Sequence, residues 1–170
     1  MPATYDRIAT TTLGSANSTI TFSSIPATYT DLRWVLTLPN TALSSGNDIY
    51  VRYNSDSSSL YSATSLDGDG ANATSVNNPN NDKGIANYQI SYPSTTNPFL
   101  LTSDIFSYTG STFKTSLQTA SGDRNGAGGG VSRNVILYRS TSAITSITIF
   151  FNTANFAVGT TATLYGIKAA

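Results

Sequence analysis

The feature that most constrains the fold is a strict alternation of apolar and polar residues in the segment 31–38, DLRWVLTL. A period of two is the spacing of a β-strand with one buried face. The face predicted to be buried carries Leu32, Trp34, Leu36 and Leu38, and the opposite face carries Asp31, Arg33, Val35 and Thr37. Such a strand needs a second layer to cover its apolar side.

The same period recurs along the chain. It predicts strands over 19–22, 48–53 and 144–151, with Ile20, Phe22, Ile49, Val51, Tyr53, Ile147, Ile149 and Phe151 directed inward. The segments 134–139 and 163–168 are apolar enough to predict strands covered on both faces. Weaker strands are predicted near 5–12, 60–66, 85–91, 101–108 and 112–119, and no stretch has a helical period. We therefore expect one all-β domain spanning 1–170, an antiparallel β-sandwich of about ten strands.

Composition agrees with this class. The chain has 26 threonines, 24 serines, 15 asparagines, 13 glycines and no glutamate, a mixture that favours strands and turns over helices. Two polar segments, 67–84 and 121–131, are predicted to be long exposed loops that a neighbouring subunit could order.

Several classes of function are disfavoured by the residues that the chain lacks. Without cysteine it has no disulfide and no thiolate ligand, and without histidine it lacks the commonest general base. Nine basic residues balance nine acidic ones, so we expect no nucleic-acid partner. Neither a signal peptide nor an apolar run long enough to span a bilayer is visible, so no membrane partner is expected and the two N-x-S/T sequons are interpreted as chance. No cofactor is expected.

Two motifs resemble chemical sites without fitting them. In DGDGAN, Asp67 and Asp69 occupy the first and third positions of a calcium loop, but the later ligand positions fail; a looser calcium site and a solvated turn remain the alternatives. Ser111 and Lys114 have the S-x-x-K spacing of penicillin-binding enzymes, yet on a strand they would point to opposite faces, so coincidence is the better interpretation.

The glycines at 126, 128, 129 and 130 indicate a flexible hairpin connection or an inter-subunit contact, because the lysine and hydroxyl of a P-loop are missing. Nothing in the sequence brings two aspartates together as a catalytic pair. We therefore predict a protein without enzymatic activity.

A contact surface is the remaining candidate site. Trp34 shares its face with three leucines and is assigned to the core. Tyrosines outside the clearest inward positions are candidates for contact with a glycan or a protein, since tyrosine buries area while keeping a polar tip. The candidate set is Tyr50, Arg52, Tyr61, Asp67, Asp69, Tyr88, Tyr92, Tyr108 and Arg124.

Three stretches, YDRIATTTLGSANSTITFSSIPATYTDL near the start, VRYNSD in the middle and TLYGIK at the end, resemble small virion proteins of tailed bacteriophages. The resemblance spans Tyr5 to Lys168. It implies a β-sandwich of jelly-roll type that is a structural component of the virion, and it carries over no binding residues.

Two virion roles follow from this resemblance as expectations. The first is a capsid decoration (cement) protein, a homotrimer that reinforces the major capsid protein. It is preferred because a fibre commonly has an extra N-terminal segment, whereas here strand-like sequence begins at Tyr5. The alternative is the head domain of a tail fibre or spike that contacts tail proteins and binds host glycans through exposed tyrosines and the 67–84 loop.

Overall fold

The computed structural model describes residues 4–39, 47–87, 97–123, 126 and 128–168. Its twelve strands are β1 (Tyr5–Thr12), β2 (Thr19–Phe22), β3 (Asp31–Leu38), β4 (Ile49–Tyr53), β5 (Tyr61–Gly68), β6 (Ala73–Asn81), β7 (Gly84–Asn87), β8 (Phe99–Ile105), β9 (Lys114–Asp123), β10 (Gly129–Tyr138), β11 (Ile147–Phe151) and β12 (Thr161–Ile167). No helix occurs within these described ranges, which confirms the all-β class. It follows that the described part of the chain has no helix long and apolar enough to span a membrane.

The strands form two antiparallel sheets. The large sheet has eight strands in the order β1-β12-β3-β8-β9-β10-β5-β6, and the small sheet has four in the order β2-β11-β4-β7. Strand β7 of the small sheet packs over β5, β9 and β10 of the large one, and one apolar cluster joins residues of both sheets. The antiparallel β-sandwich is confirmed, with twelve strands where about ten were expected.

Eight of the strands pair in a nested order. Strand β1 pairs with β12, β2 with β11, β3 with β8, and β4 with β7. Successive pairs fall alternately in the large and the small sheet. The other four strands form two hairpins, β5–β6 and β9–β10, which pair with each other through β5 and β10 and widen the large sheet beyond β8. The chain is thus a nested eight-strand sandwich with a four-strand extension.

The core lies where the period-two pattern predicts it. Every residue assigned to an inward face in β2, β3, β4 and β11 is buried: Ile20, Phe22, Leu32, Trp34, Leu36, Leu38, Ile49, Val51, Tyr53, Ile147, Ile149 and Phe151. Burial of so many large apolar side chains between two sheets is the main stabilising contribution, at about 1.5–3 kcal/mol for each. Trp34 is therefore a core residue, as expected.

The segments 134–139 and 163–168 were predicted to be covered on both faces, and this is wrong. In β10 and β12 only alternate residues are buried, while Val135 is exposed and Leu137 and Tyr165 are half-buried. The reason is that the small sheet covers the large sheet on one side only. We call the uncovered side of the large sheet the outer face.

Both predicted long loops contain regular structure. The segment 67–84 includes strand β6, and the segment 121–131 includes the end of β9 and the start of β10. Strand β6 is the last strand of its sheet, and none of its residues is fully buried. Because neither face of β6 is buried, its sequence lacks the apolar–polar alternation that predicts a strand. This is why the segment was predicted to be a loop. Pro79, near the end of β6, suits such an edge position.

Polar side chains also join the two sheets. Asn134 on β10 donates from Nδ2 to the carbonyl oxygen of Ala86 on β7 at 2.8 Å. The Tyr53 hydroxyl on β4 lies 2.9 Å from Ser116 Oγ on β9. Gln118 Nε2, also on β9, donates a hydrogen bond to Ser116 Oγ at 2.7 Å. Since these groups are buried, their hydrogen bonds fix which part of one sheet faces which part of the other.

Candidate functional site

Tyr50 and Arg52, two of the predicted contact residues, lie together on the outward side of the small sheet. Their strand, β4, pairs with β11, so that Tyr50 is opposite Phe150 with ring centroids 5.6 Å apart. The Arg52 guanidinium lies 5.0 Å from the centroid of the Phe150 ring, a cation–π arrangement. Both predicted residues are half-buried, so this surface keeps aromatic and cationic groups accessible in part.

Asp82 offsets part of the positive charge of this cluster. Its carboxylate forms ion pairs with Arg52 and with Lys83, and Lys83 Nζ is 2.8 Å from Asp82 Oδ1. The hydrogen bond from Lys83, followed by the one from Arg52, lowers the pKa of Asp82. Lys83 Nζ also lies 5.0 Å from the Tyr50 ring centroid. The result is a fixed patch of aromatic rings and paired charges, not a strongly charged surface.

Tyr61 and Tyr108 were predicted to be contact residues, and the structure corrects both: each is fully buried. Tyr61 stacks on Tyr138 at 4.8 Å, and its hydroxyl accepts a hydrogen bond from the Tyr53 backbone N–H at 3.0 Å. The Tyr108 hydroxyl donates to the Pro26 carbonyl and accepts from the Tyr29 N–H. Their polar tips satisfy backbone groups of the fold, which leaves no part of either ring for a ligand.

Asp67 and Asp69 lie at the end of the β5–β6 hairpin, where the Asp69 side chain forms hydrogen bonds within the turn. Asp69 accepts hydrogen bonds from the backbone N–H groups of Asn72 and Ala71, which close the turn and lower the pKa of its carboxyl group. Asp67 is half-buried on strand β5. Among the described residues no three acidic side chains are grouped to hold a metal ion. Tyr88, Tyr92 and Arg124, the other candidates, lie outside the described residues.

Lys114 of the S-x-x-K motif has a structural role. It is buried on strand β9, and its Nζ donates to the carbonyl oxygens of Gly110 and Thr112, each at 2.6 Å. Desolvation lowers the pKa of this amine. Because its protons are directed at backbone carbonyls, Lys114 stabilises the turn before β9, and coincidence remains the interpretation of the motif.

The outer face of the large sheet is eight strands wide and rich in hydroxyl groups. Hydroxyls of neighbouring strands lie 3.1 Å apart in the pairs Thr10–Thr163 and Thr12–Thr161. Arg33 and Asp104 form an ion pair on this face at 3.3 Å. Strand registers place nine threonines here: Thr10, Thr12, Thr37, Thr64, Thr102, Thr115, Thr119, Thr161 and Thr163.

One region of the outer face is apolar. Leu66, Val131 and Val135, on β5 and β10, expose 58%, 65% and 44% of their surface. Strand register places Arg133 opposite Leu66, between the two valines of its own strand. Arg133 is exposed, and among the described residues it has neither an ion pair nor a side-chain hydrogen bond. We call these four residues the apolar patch.

An open cleft of about 580 Å³ adjoins this patch. Its floor includes Leu100, Ser121 and Val131, which are aligned on the outer face of three adjacent strands. Its walls are the turn after β5, with Asp69, and the β9–β10 hairpin, with Asp123 and the glycines 128–130. We call it the hairpin cleft. Of the predicted alternatives for the glycine-rich segment, a hairpin connection or an inter-subunit contact, Gly126 and Gly128 lie in the connection between β9 and β10, whereas Gly129 and Gly130 begin strand β10.

Sequence analysis missed the apolar patch. The segment 134–139, which is apolar on both faces, contains Val135 of the patch, but Leu66, Val131 and Arg133 lie outside it. Comparison with known proteins adds no assignment: no protein-family model, no curated protein and no solved structure matches this chain.

Proposed function

We propose that this protein is a non-enzymatic structural subunit of a bacteriophage virion, a decoration protein that binds the major capsid protein and reinforces the shell. The observation that supports this role best is the outer face, eight strands wide and dominated by threonine hydroxyls. A surface of this kind suits docking, since a typical protein interface carries about ten direct hydrogen bonds and a similar number of bridging waters. The resemblance to phage virion proteins supports the same role.

Hydroxyl-rich contacts are suited to an assembly in which one contact is repeated many times. Water can bridge hydroxyl groups to a partner surface at little cost in binding free energy. Each contact can then be weak, because multivalent attachment raises the overall affinity without new interactions. Homo-oligomerisation is part of the proposal, with the trimer as the form that the resemblance implies.

We also propose that the eight nested strands form a jelly roll into which the two hairpins β5–β6 and β9–β10 are inserted. The support is the pairing order. The first strand pairs with the last, and each successive inner pair lies in the other sheet from the pair before it. Double-sheet jelly rolls with eight strands are common in viral capsid proteins. An experimental structure with traced connections between the sheets tests this assignment.

The virion role is tested by quantifying the protein in purified phage particles by gel densitometry. A decoration protein is expected in many copies, in a fixed ratio to the major capsid protein. A few copies per particle would favour a fibre. Absence of the protein from particles would contradict both virion roles.

A tail-fibre head domain that binds host glycans is the second candidate. The observation in its favour is the cluster of Tyr50, Arg52 and Lys83, where a ring lies beside groups that can hydrogen-bond to a sugar. Burial of Tyr61 and Tyr108 removes two of the tyrosines on which this alternative relied. Binding of the recombinant protein to a glycan array, lost in Tyr50→Ala, would support it; the absence of any glycan signal would count against it.

A further inference from the structure

The interior of the sandwich contains a row of polar residues that crosses the large sheet. Strand register places one inward-facing residue on each of five adjacent strands side by side, in the order Trp34, Ser103, Gln118, Asn134 and Ser65. Each of these residues is at most 4% exposed. Polar groups at this depth are costly unless they are hydrogen-bonded. Each donor and acceptor of the row therefore needs a partner.

Part of this requirement is met within the protein. Gln118 Nε2 donates to Ser103 Oγ at 3.1 Å and to Ser116 Oγ at 2.7 Å. Asn134 Nδ2 donates to the Ala86 carbonyl oxygen at 2.8 Å. These hydrogen bonds hold the two amide groups in fixed orientations, with the Gln118 carbonyl oxygen directed away from both serines.

Four other buried atoms on this side of the sheet have no hydrogen-bond partner among the described residues. They are Trp34 Nε1, Gln118 Oε1, Ser65 Oγ and Asp67 Oδ2. Asp67 lies two residues after Ser65 and therefore on the same side of β5. In the described part of the chain only one further side-chain atom, Thr160 Oγ1, is buried without a partner. The unpaired groups are thus concentrated along one line across the large sheet.

The chemistry of these groups identifies the ligand that would satisfy them. The indole Nε1–H of Trp34 is a donor only, whereas the oxygens of Gln118 and Asp67 are acceptors. A bound cation would suit the oxygens but not the N–H, and a bound anion would suit only the N–H. Water both donates and accepts, and a buried water typically makes about three hydrogen bonds to groups that the protein leaves unpaired. The short side chains of Ser65 and Ser103 fill little of the roughly 10 Å between packed sheets, which leaves room for it.

We propose that this protein binds ordered water molecules between its two sheets, with Trp34, Gln118, Ser65 and Asp67 as their ligands. Water accepts a hydrogen bond from Trp34 Nε1–H and donates to Gln118 Oε1. At the β5 end it bonds to Ser65 Oγ and Asp67 Oδ2. Asp67 is half-buried, so the row meets solvent at this end. The inference is independent of the proposed virion role, because it concerns the interior of the isolated chain.

Trp34 gives a direct readout, because it is the only tryptophan of the chain. Its indole Nε1–H gives one signal in the NMR spectrum of the isotope-labelled full chain. We expect a rotating-frame Overhauser cross-peak between this proton and water, opposite in sign to a peak from chemical exchange. Such a peak requires a water molecule that stays within contact distance of the indole. Its absence from the spectrum of the folded protein would overturn the proposal.

The Ser65→Ala variant gives a second test, in which the sign of the effect is decisive. If Ser65 Oγ bonds to water, its removal leaves that water without one partner, and the equilibrium constant for unfolding should rise about fivefold. If the hydroxyl is buried without any partner, its removal should lower this constant instead. Ser75→Ala on the exposed strand β6 is the matched control and should change the constant by less than about twofold. Urea denaturation measures both variants, and a lower or unchanged constant in Ser65→Ala would contradict the proposal.

Discussion

Asn54 is the first central residue of the turn that follows β4. Asn54 and Ser55 both have a φ of 56°, and the Asp56 N–H donates to the Tyr53 carbonyl at 3.0 Å. These are features of a type I′ turn. The Asn54 side chain also accepts from the Thr145 N–H at 2.8 Å and donates to the Ala143 carbonyl at 2.8 Å. It therefore ties this turn to the segment before β11.

Two substitutions of Asn54 separate these contributions. Asn54→Gly keeps the positive φ and loses the side-chain hydrogen bonds, so the free energy of unfolding should fall by about 1–2 kcal/mol. Asn54→Ala adds the strain of a left-handed conformation and should lose about 1–2 kcal/mol more. Urea denaturation of the two variants measures the difference. Equal stabilities would show that the turn relaxes to another conformation.

The buried tyrosines give the protein a pH dependence. Tyr138 donates to Asp56 Oδ2 at 2.8 Å, and desolvation, reinforced by this hydrogen bond, raises the pKa of its hydroxyl to about 12. Desolvation also raises the pKa of Tyr53 and of Tyr61. An unfolded tyrosine ionises near pH 10, so the unfolded state loses protons before the folded state does. The stabilising effect is present below about pH 10 and is lost as the pH rises towards 12.

We therefore expect the free energy of unfolding to decrease between about pH 10 and pH 12. The Tyr138→Phe variant lacks one of the hydroxyl groups that titrate in this range. Its free energy of unfolding should therefore decrease less steeply with pH than that of the wild type. Denaturation in urea at successive pH values measures the slope. Tyr5→Phe is the control, because Tyr5 is exposed. A slope in Tyr138→Phe that equals the wild-type slope would contradict this assignment.

At the scale of elements, β10 is the strand that connects the parts of the molecule. It pairs with β5 and β9, and its inward face packs against β7 of the small sheet. The period-two pattern predicts the strand but not its uncovered side, because an apolar residue on a strand has the same local pattern whether a sheet, a partner or water lies above it. The covering layer is set by elements far away in the sequence.

Asn134 is the polar link between β10 and β7, and its loss should be costly. Asn134→Ala leaves the buried Ala86 carbonyl without this donor, so we expect a loss of about 1–3 kcal/mol in the free energy of unfolding. Asn77→Ala on the exposed edge strand β6 is the matched control and should change stability by less than about 0.5 kcal/mol. Urea denaturation compares the two. A loss in Asn134→Ala no larger than in the control would show that water replaces the side chain.

At the scale of the whole molecule, the inserted hairpins and the nested eight strands share one core. Residues of β5, β9 and β10 belong to the same apolar cluster as those of β3, β4 and β11. We therefore expect one cooperative unfolding transition. Fluorescence of the single Trp34 reports on β3, and far-UV circular dichroism reports on all strands. Coincident urea curves are expected, and a separate early transition in circular dichroism would mean that the hairpins unfold on their own.

The sequence alone determined the class of the fold, the position of most strands and the inward faces of β2, β3, β4 and β11. These follow from alternation over a few residues, which is a local property. It did not determine that Tyr61 is buried while Tyr50 is accessible in part, although both belong to strands with similar patterns. Only the tertiary structure decided this, because burial depends on which distant strands become neighbours. Tyr5 and Ile167 pair from opposite ends of the chain, and no local pattern encodes that register.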